Sequence, residues 1–352
     1  LTALDAGSRN HIQYNYGKPN LLRAAEARPV LRARHSRRDR LLRVGRRPGR
    51  RRLDGSPVAA AASLALAAPL SGLNDSPALS GEISGVTTTP VATPDEFKSL
   101  LTSSRVDLAA LPTITAANLH NRGVGISLVG VVDADLLKVL APKGSSGWDS
   151  LRGRTVYVPF QGDAGDVTFR KLAEENGLTP GEDFQLAYTR SIPELMSAVA
   201  TGKARYALLP EHFATLALRQ APAEQAGLAV LLDVQQEWRK ATGAGSLPQS
   251  AIVVRSGFAE DHPELVARLR SYFTSNTEDM AAGDLDRTRA TELAKATGIT
   301  ADLVSALLPT LHLSFTEPGA ARSDITTLLT EAADLSPRSV GGKLPDGAFY
   351  GE

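Results

Sequence analysis

The chain has 352 residues, 42% hydrophobic and 22% charged, the composition of an ordinary globular protein with room for two cores. Its formal net charge is +1, yet arginine crowds residues 23–52, so the remainder is net acidic and charge excludes the body of the protein as a nucleic-acid binder. The absence of cysteine excludes disulfides, thiolate metal sites, a cysteine nucleophile and a lipid anchor on an N-terminal cysteine; six scattered histidines lack any metal-binding spacing, so no metal or other cofactor is expected.

In chain order, residues 1–52 show no apolar periodicity and read as a basic extension, disordered or foreign to the fold, with a nucleic-acid arm and a targeting region as alternatives. Ser36-Arg37-Arg38 with Leu41 and Leu42 has the look of a twin-arginine export signal, and Ala65-Leu66-Ala67 offers a small-residue cleavage site. The uncharged run 55–74 is therefore either leader or first helix; Ser56 as N-cap and Pro57 at the first helical position favour the helix.

From residue 83 the pattern is regular. A short strand at 83–88 precedes a helix capped by Thr93-Pro94-Asp95-Glu96, then an apolar strand at 106–111, a helix at 114–121 and strands at 126–132 and 136–140. A turn-rich break, PKGSSG at 142–147, opens a second series: a strand at 155–158, a glycine-bearing turn at 161–165 and an amphipathic helix to Asn176. Strands at 184–188, 206–209 and 229–233 follow, with helices at 192–201 and 213–218 between them. A segment at 235–245 leads to a strand at 250–255, and the chain then turns helical to residue 333, leaving a glycine- and proline-punctuated tail expected on the surface. Both series contain a helix begun by a proline-acidic pair and an apolar strand ending in Leu-Pro (Leu111-Pro112 and Leu209-Pro210), which predicts two similar α/β lobes with mostly parallel sheets.

The segments LAALPT (108–113), GWDSLRGRTVYVPFQG (147–162), LLPEHFATLAL (208–218), QQEWRKATG (235–243) and VGGKLPDGAFY (340–350) together resemble the substrate-binding proteins of bacterial ABC transporters, in the nitrate, sulfonate and thiamine-precursor group of periplasmic binding proteins of type II. The resemblance implies a two-lobe clamshell, with 53–143 plus 251–352 as lobe one and 147–245 as lobe two. It also implies a monomeric receptor on the periplasmic or extracellular face of the cytoplasmic membrane, taking a small polar organic solute to an ABC permease. The family's first strand should precede Gly55, where RRRLD is a poor strand, so lobe one is expected to lack it.

Ligands of open α/β sheets sit beyond the carboxyl ends of the strands. That rule, with the matched family segments, selects Ser56, Pro112, Thr113, Gln161, Gly162, Asp163, Ala164, Glu211, His212 and Gln249 as ligand-binding candidates. Thr113 and Ser56 offer hydroxyls near helix N-termini, suited to an anionic head group, with simple N-capping as the alternative for Thr113; the turn 161–165 offers backbone N–H groups. Asp163, Asp166 and Glu211 point instead to an amine or ring cation, unless an aspartate only complements the helix dipole. His212 could switch charge near neutral pH or donate one hydrogen bond, and Trp238 is expected in the core. No nucleophile-elbow, Walker or dinucleotide motif is present, so no enzyme is expected. The alternatives are a hydrolase using His212 and Glu211, or a thiamine-pyrimidine enzyme of the same fold, whose cysteine-rich iron motif this chain lacks.

Overall fold

A computed structural model describes residues 53–54, 57–61, 63–91, 93–134, 137–162, 164–220 and 227–352. The first elements are β1 (Leu53–Asp54), β2 (Pro57–Ala61), α1 (Leu64–Ala67), β3 (Ile83–Ser84), β4 (Thr87–Val91), α2 (Pro94–Thr102), β5 (Leu108–Pro112), α3 (Thr113–Asn121) and β6 (Ile126–Asp133). Next come β7 (Leu137–Pro142), β8 (Thr155–Pro159), α4 (Ala164–Glu175), β9 (Gln185–Thr189), α5 (Ile192–Ala200), β10 (Tyr206–Pro210), α6 (Glu211–Gln220), β11 (Leu228–Asp233) and α7 (Val234–Thr242). The chain ends with β12 (Ser250–Arg255), α8 (Ser256–Asp261), α9 (Pro263–Ala281), α10 (Arg287–Thr297), α11 (Ala301–Leu307), β13 (Ser314–Thr316) and α12 (Pro318–Leu335). Among the described residues no helix is long and apolar enough to cross a membrane.

Two mixed sheets carry the fold, in the orders β13-β6-β12-β5-β2-β4 and β11-β7-β10-β8-β9. Strands β2, β4 and β5 are parallel, as are β8, β9 and β10. In each sheet the parallel strands give way to antiparallel pairing at one position, β12 between β5 and β6 and β7 between β10 and β11, and in the first sheet β13 adds a further antiparallel pair with β6. Matching β2 with β8, β4 with β9, β5 with β10, β12 with β7 and β6 with β11 makes the two orders identical apart from β13. The repeat legible in the sequence is therefore a repeat of topology, and the fold is a two-lobe α/β clamshell. Both Leu-Pro pairs close the equivalent strands β5 and β10. The proline-acidic helix starts are equivalent too: Thr93 Oγ1 accepts the Glu96 N–H and Ser191 Oγ accepts the Glu194 N–H, each at 3.3 Å, satisfying a donor that the helix start leaves free.

The chain crosses between sheets twice, from β6 to β7 and from α7 to β12. Helix α12 lies against β6 and α3 of the first lobe and α4 of the second. Ile325, Leu328 and Leu329 of this helix are fully buried, each contributing on the order of 2 kcal/mol of burial. Lys171 of α4 reaches Glu331 at 3.0 Å, and Asp324 accepts the Ser246 N–H and hydroxyl at 2.8 and 2.9 Å. The tail docks on α3, where the Asn121 amide donates to the Val340 and Lys343 carbonyls, both at 2.6 Å. Gly341, at φ 80°, must be glycine there, since a Cβ would lie 2.8 Å from that of Asn121.

Three sequence expectations are corrected. The run after Gly55 does not open as a helix: Pro57 starts a strand, β2, and the helix begins only at Leu64. Alanine favours helix locally, but β2 lies between β4 and β5 with Val58, Ala59 and Ala60 buried, and tertiary pairing overrides the propensity. Lobe one accordingly has its first strand. Finally, β7, assigned to lobe one by the boundary at residue 143, hydrogen-bonds in the second sheet, because its antiparallel direction lets it fill the slot that β12 fills in the first.

Candidate functional site

In lobe one, β5 ends at Pro112 and Thr113 begins α3. The Thr113 N–H donates to the Gln249 carbonyl at 2.9 Å, and the next residue, Ser250, pairs with Pro112 across β12 and β5. Pro112, Thr113 and Gln249 are thus brought together at the carboxyl edge of the sheet. Both polar side chains are buried, and neither Thr113 Oγ1 nor Gln249 Nε2 has a hydrogen-bond partner. A buried polar atom left unpaired costs about 1–3 kcal/mol, so this corner carries unspent hydrogen-bonding capacity.

In lobe two, β8 ends at Pro159, and the Phe160 N–H extends the ladder by donating to the Thr189 carbonyl at 3.1 Å. The chain then kinks, with positive φ at Phe160 (55°) and Gly162 (78°), and Gln161 and Gly162 lie exposed. Asp166, fully buried in the first turn of α4, holds this kink: it accepts the Gly162 N–H at 2.8 Å and the Tyr188 hydroxyl at 2.9 Å. Burial, together with the adjacent Asp166 carboxylate, pushes the Tyr188 phenol up to about 12, so Tyr188 stays a neutral donor. Asp166 therefore serves the turn and not a solute, and the Gly162 N–H is spent inside the protein. Ala164 opens α4 and is buried.

The neighbouring strand β10 ends at Pro210, and Glu211 and His212 begin α6. Glu211 accepts from the Thr215 hydroxyl at 2.8 Å and lies 3.6 Å from Lys138 Nζ. Lys138 in turn donates to Asp233 at 2.6 Å. Burial alone would raise the Asp233 carboxyl, but Lys138 and the Gln236 N–H outweigh it and hold it below its ordinary value. His212 is buried, with its ring centroid 4.2 Å from that of Phe213, and burial lowers its pKa to about 4. Of the two expectations for His212, the charge switch near neutral pH is thereby disfavoured, since burial keeps the ring neutral in that range. Asp133, closing β6, accepts from the Gln235 side-chain amide and so links the two chain crossings.

Ser56 and Asp163 lie outside the described residues. Trp238 is fully buried, as expected of a core residue. Sequence reasoning missed Lys138, Tyr188 and Phe160. The signal for Lys138 was a lone charge inside the apolar strand LKVLAP; Tyr188 and Phe160 gave none, because their roles depend on β8 and β9 lying side by side.

The described candidates thus sit beside the carboxyl ends of parallel strands in two lobes of equal topology, or, for Gln249, beside one across the sheet, where such folds take their ligands. Residues 79–302, more than half of the chain, match the family model of ABC-transporter, phosphonate, periplasmic substrate-binding proteins. The chain belongs to this family. Membership makes it a periplasmic substrate-binding component of an ABC import system and implies an extracytoplasmic location. No curated protein sequence matches the chain significantly. Among solved structures it is similar to an ABC transporter protein of Parabacteroides distasonis, with TM-score 0.67 at 20% identity, covering 84% of this chain and 98% of that one. It is also similar to the periplasmic aliphatic sulphonate binding protein of Escherichia coli (TM-score 0.62, 16% identity, 81% and 94% covered). The periplasmic nitrate-binding protein of Synechocystis is a third (TM-score 0.59, 12% identity, 81% and 82% covered). At such identities these likenesses speak for the fold alone.

Proposed function

We propose that this family member is a monomeric solute receptor that closes its two lobes on one small polar organic molecule and hands it to a membrane permease, making and breaking no bond. The observation that carries the reading is that two residues joined by a backbone hydrogen bond where the sheet of lobe one ends, Thr113 and Gln249, each hold a buried, unpartnered polar atom, Oγ1 and Nε2. Their pairing with a polar head group would recover the cost of leaving them bare. Pro112 shapes this wall, while Gln161, Gly162 and Ala164 form the rim of lobe two. Glu211 and His212 open α6 at the end of the neighbouring strand β10. A hydrolase using Glu211 and His212 is disfavoured by the same geometry, since the imidazole is buried and neutral and the carboxylate is engaged by Lys138 and Thr215.

Sulfonates, phosphonates, nitrate, and pyrimidines or amines are the solute classes to screen. The expected result is a rise in melting temperature with one class, accompanied by compaction in small-angle scattering, with the solute recovered unchanged. Turnover of the bound compound without compaction would instead establish an enzyme.

A further inference from the structure

Among the described residues three non-glycine positions have positive φ: Ser104 (54°), Phe160 (55°) and His312 (46°). Ser104 and His312 each terminate a helical segment, where a left-handed residue is the usual way to end the turn. Phe160 ends a strand, and no helix there requires the conformation. A bulky residue in this region is strained, and such strain persists only where the surroundings over-determine it. Here they do: the Phe160 N–H is tied to Thr189 on one side, and Gly162 is tied to Asp166 on the other. Phe160 is also one of three large hydrophobic side chains left exposed among the described residues, at 44%. Backbone strain and a wetted ring are two costs that glycine would avoid, and the fold gains nothing visible in return.

We infer that Phe160 is a ligand-contacting residue, whose ring stacks on a flat apolar part of the solute while the lobe-one corner at Thr113 and Gln249 takes the polar head. This rests on the receptor reading and narrows it, from polar solutes in general to organic ones bearing a planar moiety.

The test uses matched probes that differ only in that moiety, benzenesulfonate against methanesulfonate and phenylphosphonate against methylphosphonate, titrated calorimetrically into the full chain. The unaltered chain should prefer the aryl member by about tenfold, the scale of one aromatic contact. Phe160→Gly should lose that preference while its ligand-free melting temperature rises, because glycine accepts the backbone conformation without strain. Phe160→Tyr should restore the preference. An aryl preference that survives in Phe160→Gly overturns the inference and leaves the receptor reading standing. A fall in the ligand-free melting temperature of Phe160→Gly would show that the ring supports the fold, and overturns it as well. If the unaltered chain binds no member of either pair, nor nitrate, a pyrimidine or an amine, both readings fall together.

Discussion

The two lobes repeat one topology but spend the polar groups of two equivalent turns differently. At the equivalent turns after β5 and β10, the Leu-Pro pair is followed by Thr113 in one lobe and by Glu211 in the other. Thr113 is buried with its hydroxyl unpaired, beside an unpaired Gln249 amide. Glu211 is satisfied by Thr215 and Lys138, and the turn after β8 is closed by Asp166. The contrast belongs to these turns and not to the lobes as wholes, since the hydroxyls of Thr168 on α4 and Thr189 at the end of β9 are also buried and unpartnered: the turn after β10 has its polar groups satisfied, and the turn after β5 does not. Polar groups that complete an internal network stabilise, and one left open calls for an explanation, which for Thr113 and Gln249 is the proposed solute.

The sharpest way to break this contrast is at the buried carboxylate of lobe two. Asp166→Ala removes the acceptor of two hydrogen bonds, one of them from the rim itself, and should cost about 4 kcal/mol, at 1.5–3 kcal/mol per bond to a charged group. Urea unfolding measures it; a loss below about 1 kcal/mol would mean that Asp166 does not hold the rim.

His212 provides the next effect, on acidification. Its pKa is about 4 in the fold against an ordinary 6.5, so the unfolded chain binds the proton more readily. Stability is complete above pH 6.5 and falls as pH drops from 6.5 towards 4, by about 3 kcal/mol at 1.36 kcal/mol per unit. Unfolding curves across that window should show the slope in the native chain and a reduced one in His212→Gln. An unchanged slope would assign the acid sensitivity elsewhere.

Much of this architecture is legible in the sequence because the repeat is. Apolar strands with Leu-Pro ends and capped helices with proline near their starts locate most elements of both lobes. What cannot be read locally is pairing. Strand β2 is built of Pro-Val-Ala-Ala-Ala and owes its state to the two parallel neighbours that flank it, and β7 is placed by a crossing that periodicity does not reveal. The site divides the same way. Pro112, Thr113 and the turn at Gln161 follow from strand ends, and Gln249 is selected with them. That Asp166 serves the turn, that Lys138 neutralises Glu211, and that Phe160 is strained and exposed are consequences of one strand lying beside another.

The contrast between lobes becomes quantitative in a pair of substitutions at the equivalent turns. Glu211→Ala removes a carboxylate engaged by Lys138 and Thr215 and should destabilise the ligand-free chain by about 2 kcal/mol, since it leaves Lys138 with Asp233 as its one remaining ion-pair partner among the described residues. Thr113→Val keeps the side-chain shape and removes only the unpaired hydroxyl, so the ligand-free chain should hold its stability or gain up to about 1 kcal/mol. Binding should move the other way: the same Thr113→Val chain should bind its solute roughly tenfold more weakly, the loss of about one hydrogen bond, read by calorimetry. A Thr113→Val chain that is less stable and binds as well as before would mean that the hydroxyl belongs to the fold. The turn after β5 would then hold nothing in reserve, and the difference between the two turns would be one of sequence alone.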